Sequence, residues 1–452
     1  MSDDICRAET GLATAEALAA WNAMVRAVLA HGAAAPAHLA TVLEHEPDAP
    51  MALAARGLFC LMLGRSEMVA AARGSSAEAH RALATRGGPA RAAAWLSALD
   101  GWLDGSPGAA VFHLEGVLAR NPSDTLTAKA CHGVRFIMGD AGGMRRSIER
   151  ALAGHGADHP LRGFALGCHA FALEETGDYA AAEATGLAGL DLAPDDAWGL
   201  HAVAHVHDMT HRPDAGIALI ERNAAAWDHC NNFRYHVWWH KALLHLDRGE
   251  HDLALSLYDT RIREDRTDDY RDMANAASLL VRLELEDVPV GDRWGELADL
   301  AEARVGDGCL VFADLHYMLA LTGDARPDAA GRLLAQVAGT GRDRTELGRV
   351  AAHPGVTAAE GLAAFGEGRY DRAFARLQAA RAHMQTIGGS HAQRDVFERM
   401  TVDAGIRGGR LDDAAAILAA RTALRGGHAD SFARTRLDRI ADARRVSNRA
   451  AE

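Results

Sequence analysis

The stretch HAVAHVHDMTH, residues 201–211, holds four histidines in eleven positions. His201 and His205 are spaced i, i+4, so on a helix they share one face. Two imidazoles at that spacing form a two-ligand clip for a divalent metal, with Glu174, Asp208 or His236 as the completing ligand. The sequence has no HExxH, so the arrangement lacks the glutamate base of the familiar zinc proteases. Without a metal, the same imidazoles and carboxylate would serve acid–base or hydrogen-bonding work, with Trp198 and Trp239 as apolar walls. A third reading is a polar groove between helices that holds a peptide or nothing. On balance no cofactor is expected, and a divalent metal at His201 and His205 is the alternative.

A second unusual stretch is GGSHAQRDVFERM, residues 388–400. Gly388 and Gly389 break the chain, and Ser390 is placed to cap the following helix. His391, Gln393, Arg394, Asp395 and Glu398 then crowd its first turns. Such a set would bind an anion or orient a substrate through free N–H groups and the helix dipole, or would simply cap and form surface ion pairs. A tightly curled chain would bring this stretch to the His201/His205 patch. His316 and His132 read as core histidines. Cys230 beside His229 is a weaker nucleophile candidate, because no orienting partner is evident. No GxSxG, P-loop or GxGxxG motif is present.

What must position these groups is a repeat. A helical stretch ends in Gly plus a polar residue, and a small residue opens the next helix about five residues later. Instances fall at Gly105, Gly139, Gly177, His211 and Gly249, spaced by 34, 38, 34 and 38, and again at Gly323, Gly368 and Gly409. A period near 34 built of two helices is the tetratricopeptide pattern. Ala110, Ala182, Ala254, Ala373 and Ala414 are the small residues that let paired helices approach. Pro122 and Pro194 end second helices. The expected fold is all-α, a superhelix of stacked antiparallel helix pairs. Residues 1–90 read as a divergent helical cap or repeats, 91–345 as tetratricopeptide-like repeats, 346–445 as C-terminal helical repeats and 446–452 as a tail. The stretch 260–310 is irregular, with room for one more pair.

Repeat positions 2, 5, 9 and 12 of the first helix face inward in this architecture. They place Phe171 and Glu174 on one helix, Trp198, His201, His205 and Asp208 on the next, and His236 and Trp239 on a third. By the same rule His207, His211 and His240 face their own repeat's packing or solvent.

Three stretches are narrower in character: residues 201–259, NAASLLVRLELEDVPVGDRW and GGSHAQRDVFERM. Together they resemble the tetratricopeptide repeat protein 38 family over roughly residues 95 to 420. The resemblance implies an all-helical repeat superhelix and a soluble protein, and no particular reaction.

Composition sets the remaining bounds. The net charge is −13, which argues against nucleic acid and anionic membrane as partners. Six isolated cysteines, with no CxxC, suit a reducing compartment. No apolar run is long enough to span a bilayer, and the N-terminus lacks a signal pattern, so a cytoplasmic protein is expected. The expected function is binding of a small polar molecule or a peptide on the concave surface. The alternative is a hydrolase or lyase using Glu174, His201, His205, His236, His391 and Asp395, with Phe171, Trp198, Asp208, Trp239, Gln393 and Arg394 holding the ligand. Oligomeric state stays open.

Overall fold

A computed structural model describes residues 3–451, with side chains through 446. Within it, only two isolated β-bridges interrupt helices and turns. The all-α, tetratricopeptide-like architecture is as the periodicity indicates. No described helix is long and apolar enough to cross a membrane.

The chain divides into two compact units. The first comprises Met1–Val203, Ile220–Arg234 and Arg344–Leu347, and the second Ala204–Leu219, Tyr235–Asp343 and Gly348–Glu452. The helices Ala197–Met209, Pro213–Arg222 and Phe233–Asp247 each contribute residues to both.

In the first unit, the pairs Ala90–Leu103 with Pro107–Arg120 and Arg162–Glu174 with Tyr179–Leu192 show why the repeat folds. Gly105 (φ +80°) and Gly177 (φ +83°) supply the left-handed turns. At Gly105 the requirement is also steric, since a Cβ there would meet Thr345 at 2.6 Å. Ala110 and Ala182 are fully buried. The core runs from Cys6 through Trp21, Trp95 and Phe171 to Ala202. Buried Arg91 ties its start to the repeats, bonding Asp4 at 2.8 Å and Asp124 at 2.7 Å.

In the second unit, Gly249, Gly368 and Gly409 again turn with positive φ. His211 takes the same conformation (φ +55°) where the pattern lacks its glycine. One turn differs from the sequence reading. The positive φ falls on Ala325 (+53°), not Gly323. Gly323 ends the helix Val311–Gly323 and is small because Trp294 packs on it, where a Cβ would lie 2.4 Å from the ring. The irregular stretch holds the pair Tyr270–Leu285 and Arg293–Ala303. Ser390 caps His391–Arg407 in a capping box: Gln393 N–H donates to Ser390 Oγ (3.2 Å), and Ser390 N–H donates to Gln393 Oε1 (2.9 Å). Of the tail read at 446–452, the backbone through 451 continues the helix Ser431–Ala451, and side chains from 447 lie outside the described residues.

Candidate functional site

In the first unit the inward-facing positions close on one another. Trp198, 8 % exposed, stands 4.5 Å from Phe171, 5.1 Å from His201 and 5.7 Å from Phe233, centroid to centroid. His201 stacks on Phe171 at 5.4 Å and 20°. His132 meets Trp198 edge-on at 5.7 Å, and Lys129 Nζ lies 4.5 Å above the Trp198 ring. Burial, with help from Lys129 and Arg135, drops the His132 pKa to about 3, so its ring is neutral at pH 7. Burial raises the Asp196 carboxyl to about 7 despite Lys129. Glu174 is buried in the same unit. The result is a packed aromatic core with a few polar groups.

In the second unit the histidines do something else. His205 Nε2 lies 3.1 Å from His240 Nε2, which lies 3.1 Å from His236 Nε2. Two helices build this convergence. His205 comes from Ala197–Met209, while His236 and His240 are one turn apart on Phe233–Asp247. His236 Nδ1 donates to Asn275 Oδ1 at 2.9 Å, from the helix Tyr270–Leu285. Trp239, fully buried, stacks on His236 at 5.3 Å. Burial lowers the pKa of His236 to about 3 and that of His240 well below the ordinary imidazole value. His391, at the start of its helix, brings its ring to 5.2 Å from that of His205.

His391 also lines a cavity of about 420 Å³ within this unit. Its apolar wall includes Met209, Leu243, Leu246, Met384, Phe397 and Phe432. Its polar wall is an ion network. Arg421 grips Asp395 through Nε (2.6 Å) and Nη2 (3.0 Å), and reaches Asp430 at 2.6 Å. Arg399 bonds Asp395 at 2.7 Å and Asp430 at 3.2 Å. Arg425 bonds Asp208 at 3.0 Å. Burial works against the charge of Asp395, but Arg421 and Arg399 hold its pKa well below the usual range. The same arginines depress Asp430 against its own burial.

Arg282 is the exception. It is 1 % exposed and lines the cavity. Its guanidinium donates to the Ser278 carbonyl (3.1 Å), the Ser278 hydroxyl (2.8 Å) and the Ala392 carbonyl (2.7 Å), and to no carboxylate among the described residues. Burial, then Arg399 and Arg421, pull its pKa down to about 9 against the opposing pull of Asp395 and Asp208. Six arginines (Arg282, Arg381, Arg394, Arg399, Arg421, Arg425) and six carboxylates (Asp208, Asp247, Glu286, Asp395, Glu398, Asp430) line the cavity, and Arg282 hydrogen-bonds none of them. A buried cation short of a counter-charge is costly unless an anion joins it.

The residues singled out from sequence thus separate. Phe171, Glu174, Trp198 and His201 belong to the first unit, and Asp208, His205, His236, Trp239, His391, Gln393, Arg394 and Asp395 to the second. The stretch 388–400 does reach His205, through His391. Gln393 is spent on the capping box, and Arg394 donates to the Gly388 carbonyl at 3.2 Å and also to that of Gly389. Asp395 and Asp208 are held by arginines.

His240 departs from the repeat arithmetic. It is 3 % exposed and joins His205 and His236, because it follows His236 by one helical turn. Arg282, Arg421 and Arg425 carried no sequence signal beyond being arginines on helices. His316 is a core histidine whose Nδ1 meets the Phe312 carbonyl at 2.7 Å. Cys230 is buried with its thiol pushed up to about 12, chiefly by burial, which makes it inert as a nucleophile.

No protein-family profile matches the sequence. Among solved structures, the chain is similar to human IFIT1 with PPP-AAAA at 15 % identity, covering 86 % of this chain and 94 % of that one, with a TM-score of 0.37. It is similar to yeast Tom70 at 13 % identity, covering 96 % and 90 %, TM-score 0.32. It is also similar to the P58(IPK) TPR domain at 17 % identity, covering 78 % and 98 %, TM-score 0.22. One reading from composition is corrected here. Net charge was taken to exclude a nucleic-acid partner, yet one of these helical-repeat chains is solved with the oligonucleotide PPP-AAAA, and another of its structures with m7Gppp-AAAA. The physical reason is that whole-chain charge says little about single groups: the −13 of this chain coexists with a cavity-lining Arg282 that hydrogen-bonds no carboxylate among the described residues.

Proposed function

We propose that this chain binds a small anionic molecule, bearing a carboxylate or phosphate on an apolar body, in the cavity of its second unit. Arg282 carries the proposal. It is a cavity-lining guanidinium, buried and bonded only to neutral groups. An anion beside it would supply the missing counter-charge and gain charge-assisted hydrogen bonds. A cavity of about 420 Å³ suits a metabolite, with the leucine, methionine and phenylalanine wall taking the apolar part. Arg394 and His391 stand on the same wall as further donors.

The test is thermal unfolding of the full chain with inorganic phosphate, citrate, adenosine monophosphate and a tetra-adenylate, against glucose as a neutral control. At least one anion raises the midpoint of the wild type and not of Arg282→Gln. A shift with glucose alone, or equal shifts in both proteins, sinks the reading. A shift with the tetra-adenylate and no small anion would replace the ligand class.

A second reading, a hydrolase or lyase acting on that molecule, is favoured by one observation: His391 lines the cavity and is backed by His205. In it His391 is the acid–base group, with His205 and His236 behind it, and Asp395 a positioning residue. His391→Gln would then keep the anion shift and lose turnover. Membership of the tetratricopeptide repeat protein 38 family rests on the motifs at 201–259, 275–294 and 388–400. A cytoplasmic location is supported by six free thiols.

A further inference from the structure

His205, His236 and His240 converge through their ring nitrogens. His236 Nδ1 bonds Asn275 Oδ1, which turns its Nε2 toward the other two rings. His240 Nε2 lies 3.1 Å from His236 Nε2 and 3.1 Å from His205 Nε2.

Imidazole nitrogens drawn to one point are the arrangement in which histidines ligate a metal ion. All three histidines offer nitrogens within 4.8 Å of one another. Ligand atoms on a tetrahedral zinc at about 2.0–2.1 Å are about 3.3–3.4 Å apart. The two observed separations of 3.1 Å are close to such an edge. The second shell is also in place. The Asn275 carbonyl oxygen fixes the tautomer and direction of His236, the usual arrangement around a ligating histidine.

We propose that His205, His236 and His240 form a three-histidine site for a divalent transition ion of the zinc type, with its fourth position turned toward His391. His391 offers a nitrogen within 4.8 Å of that of His205. Three imidazoles with one open position suit zinc, cobalt, nickel or iron better than magnesium or calcium, which take oxygen ligands. The site stands whether or not Arg282 binds an anion.

The full chain, purified without an affinity tag and stripped with chelator, is titrated with cobalt(II) and followed by visible absorption. The site predicts about one equivalent bound with the intense visible bands of tetrahedral cobalt. It predicts loss of those bands in His240→Ala, with far-UV circular dichroism unchanged. His240→Cys guards against a variant that fails to fold: it keeps a ligand and adds a thiolate-to-cobalt charge-transfer band in the near ultraviolet. Absence of cobalt bands in the wild type overturns the proposal. So does cobalt bound equally by His240→Ala, or a His240→Cys protein that binds cobalt without the charge-transfer band.

Discussion

The two units use one repeat grammar and fill it differently. In the first, the inward positions carry Trp198, Phe171 and His201, which pack with Phe233 into an aromatic core, each within 6 Å of Trp198. In the second, they carry His205, His236 and Asp208, and a cavity opens among arginines and carboxylates. Aromatic filling can be completed by packing alone. A wall of buried charges must be satisfied group by group, and here Arg282 hydrogen-bonds no carboxylate among the described residues. The lesson is that the repeat fixes where side chains point, while the residue types at those positions decide between scaffold and site.

The largest expected effects lie at the centre of each unit. Arg421→Gln removes the more buried of the two arginines that Asp395 and Asp430 share and should cost about 3–5 kcal/mol in urea unfolding. Trp198→Ala should cost about 3–5 kcal/mol through the cavity it leaves in the first unit. Amide hydrogen exchange separates them: each loss of protection should begin in the unit that holds the variant. Uniform loss in both units for either variant would break the comparison.

Acid should weaken both units next, since burial holds His132 in the first and His236 in the second neutral. His132 has a folded pKa near 3 against an unfolded value of about 6.5. The unfolded state therefore takes the proton first. Stability is fully present above about pH 6.5 and declines below it, by up to about 1.4 kcal/mol per pH unit. His132→Leu should flatten that decline in the first unit, and a slope unchanged by the substitution contradicts it. Asp395 and Asp430 are depressed instead, so their contribution holds from neutral pH to about 4 and fades only below that. The smallest stability effect is expected at Arg282. Arg282→Gln removes a cation without a carboxylate partner and should move unfolding by no more than about 1 kcal/mol, far less than Arg421→Gln.

Much of the frame was legible in the sequence. Gly105, Gly177 and Gly249 marked turns because a left-handed residue must close each pair, and Ser390 marked a cap because Gln393 follows it at the right distance. Gly323 misled, since its smallness answers to Trp294 and not to the turn. The site was legible in part. Spacing put His205 and His236 on inward faces but missed His240 one turn further on. The cavity wall was hidden for a different reason. Arg282 bonds a carbonyl 110 residues away, and Arg425 reaches Asp208 across 217 residues. Periodicity reports the face of a helix and says nothing of which distant segment that face meets.

The most direct test of the account is isothermal titration of the full chain with whichever anion most raises its thermal midpoint, run beside Arg282→Gln. The account predicts one site per chain in the wild type and at least a tenfold weaker affinity in the variant, with its fold unchanged. Equal affinity in the two proteins would contradict it.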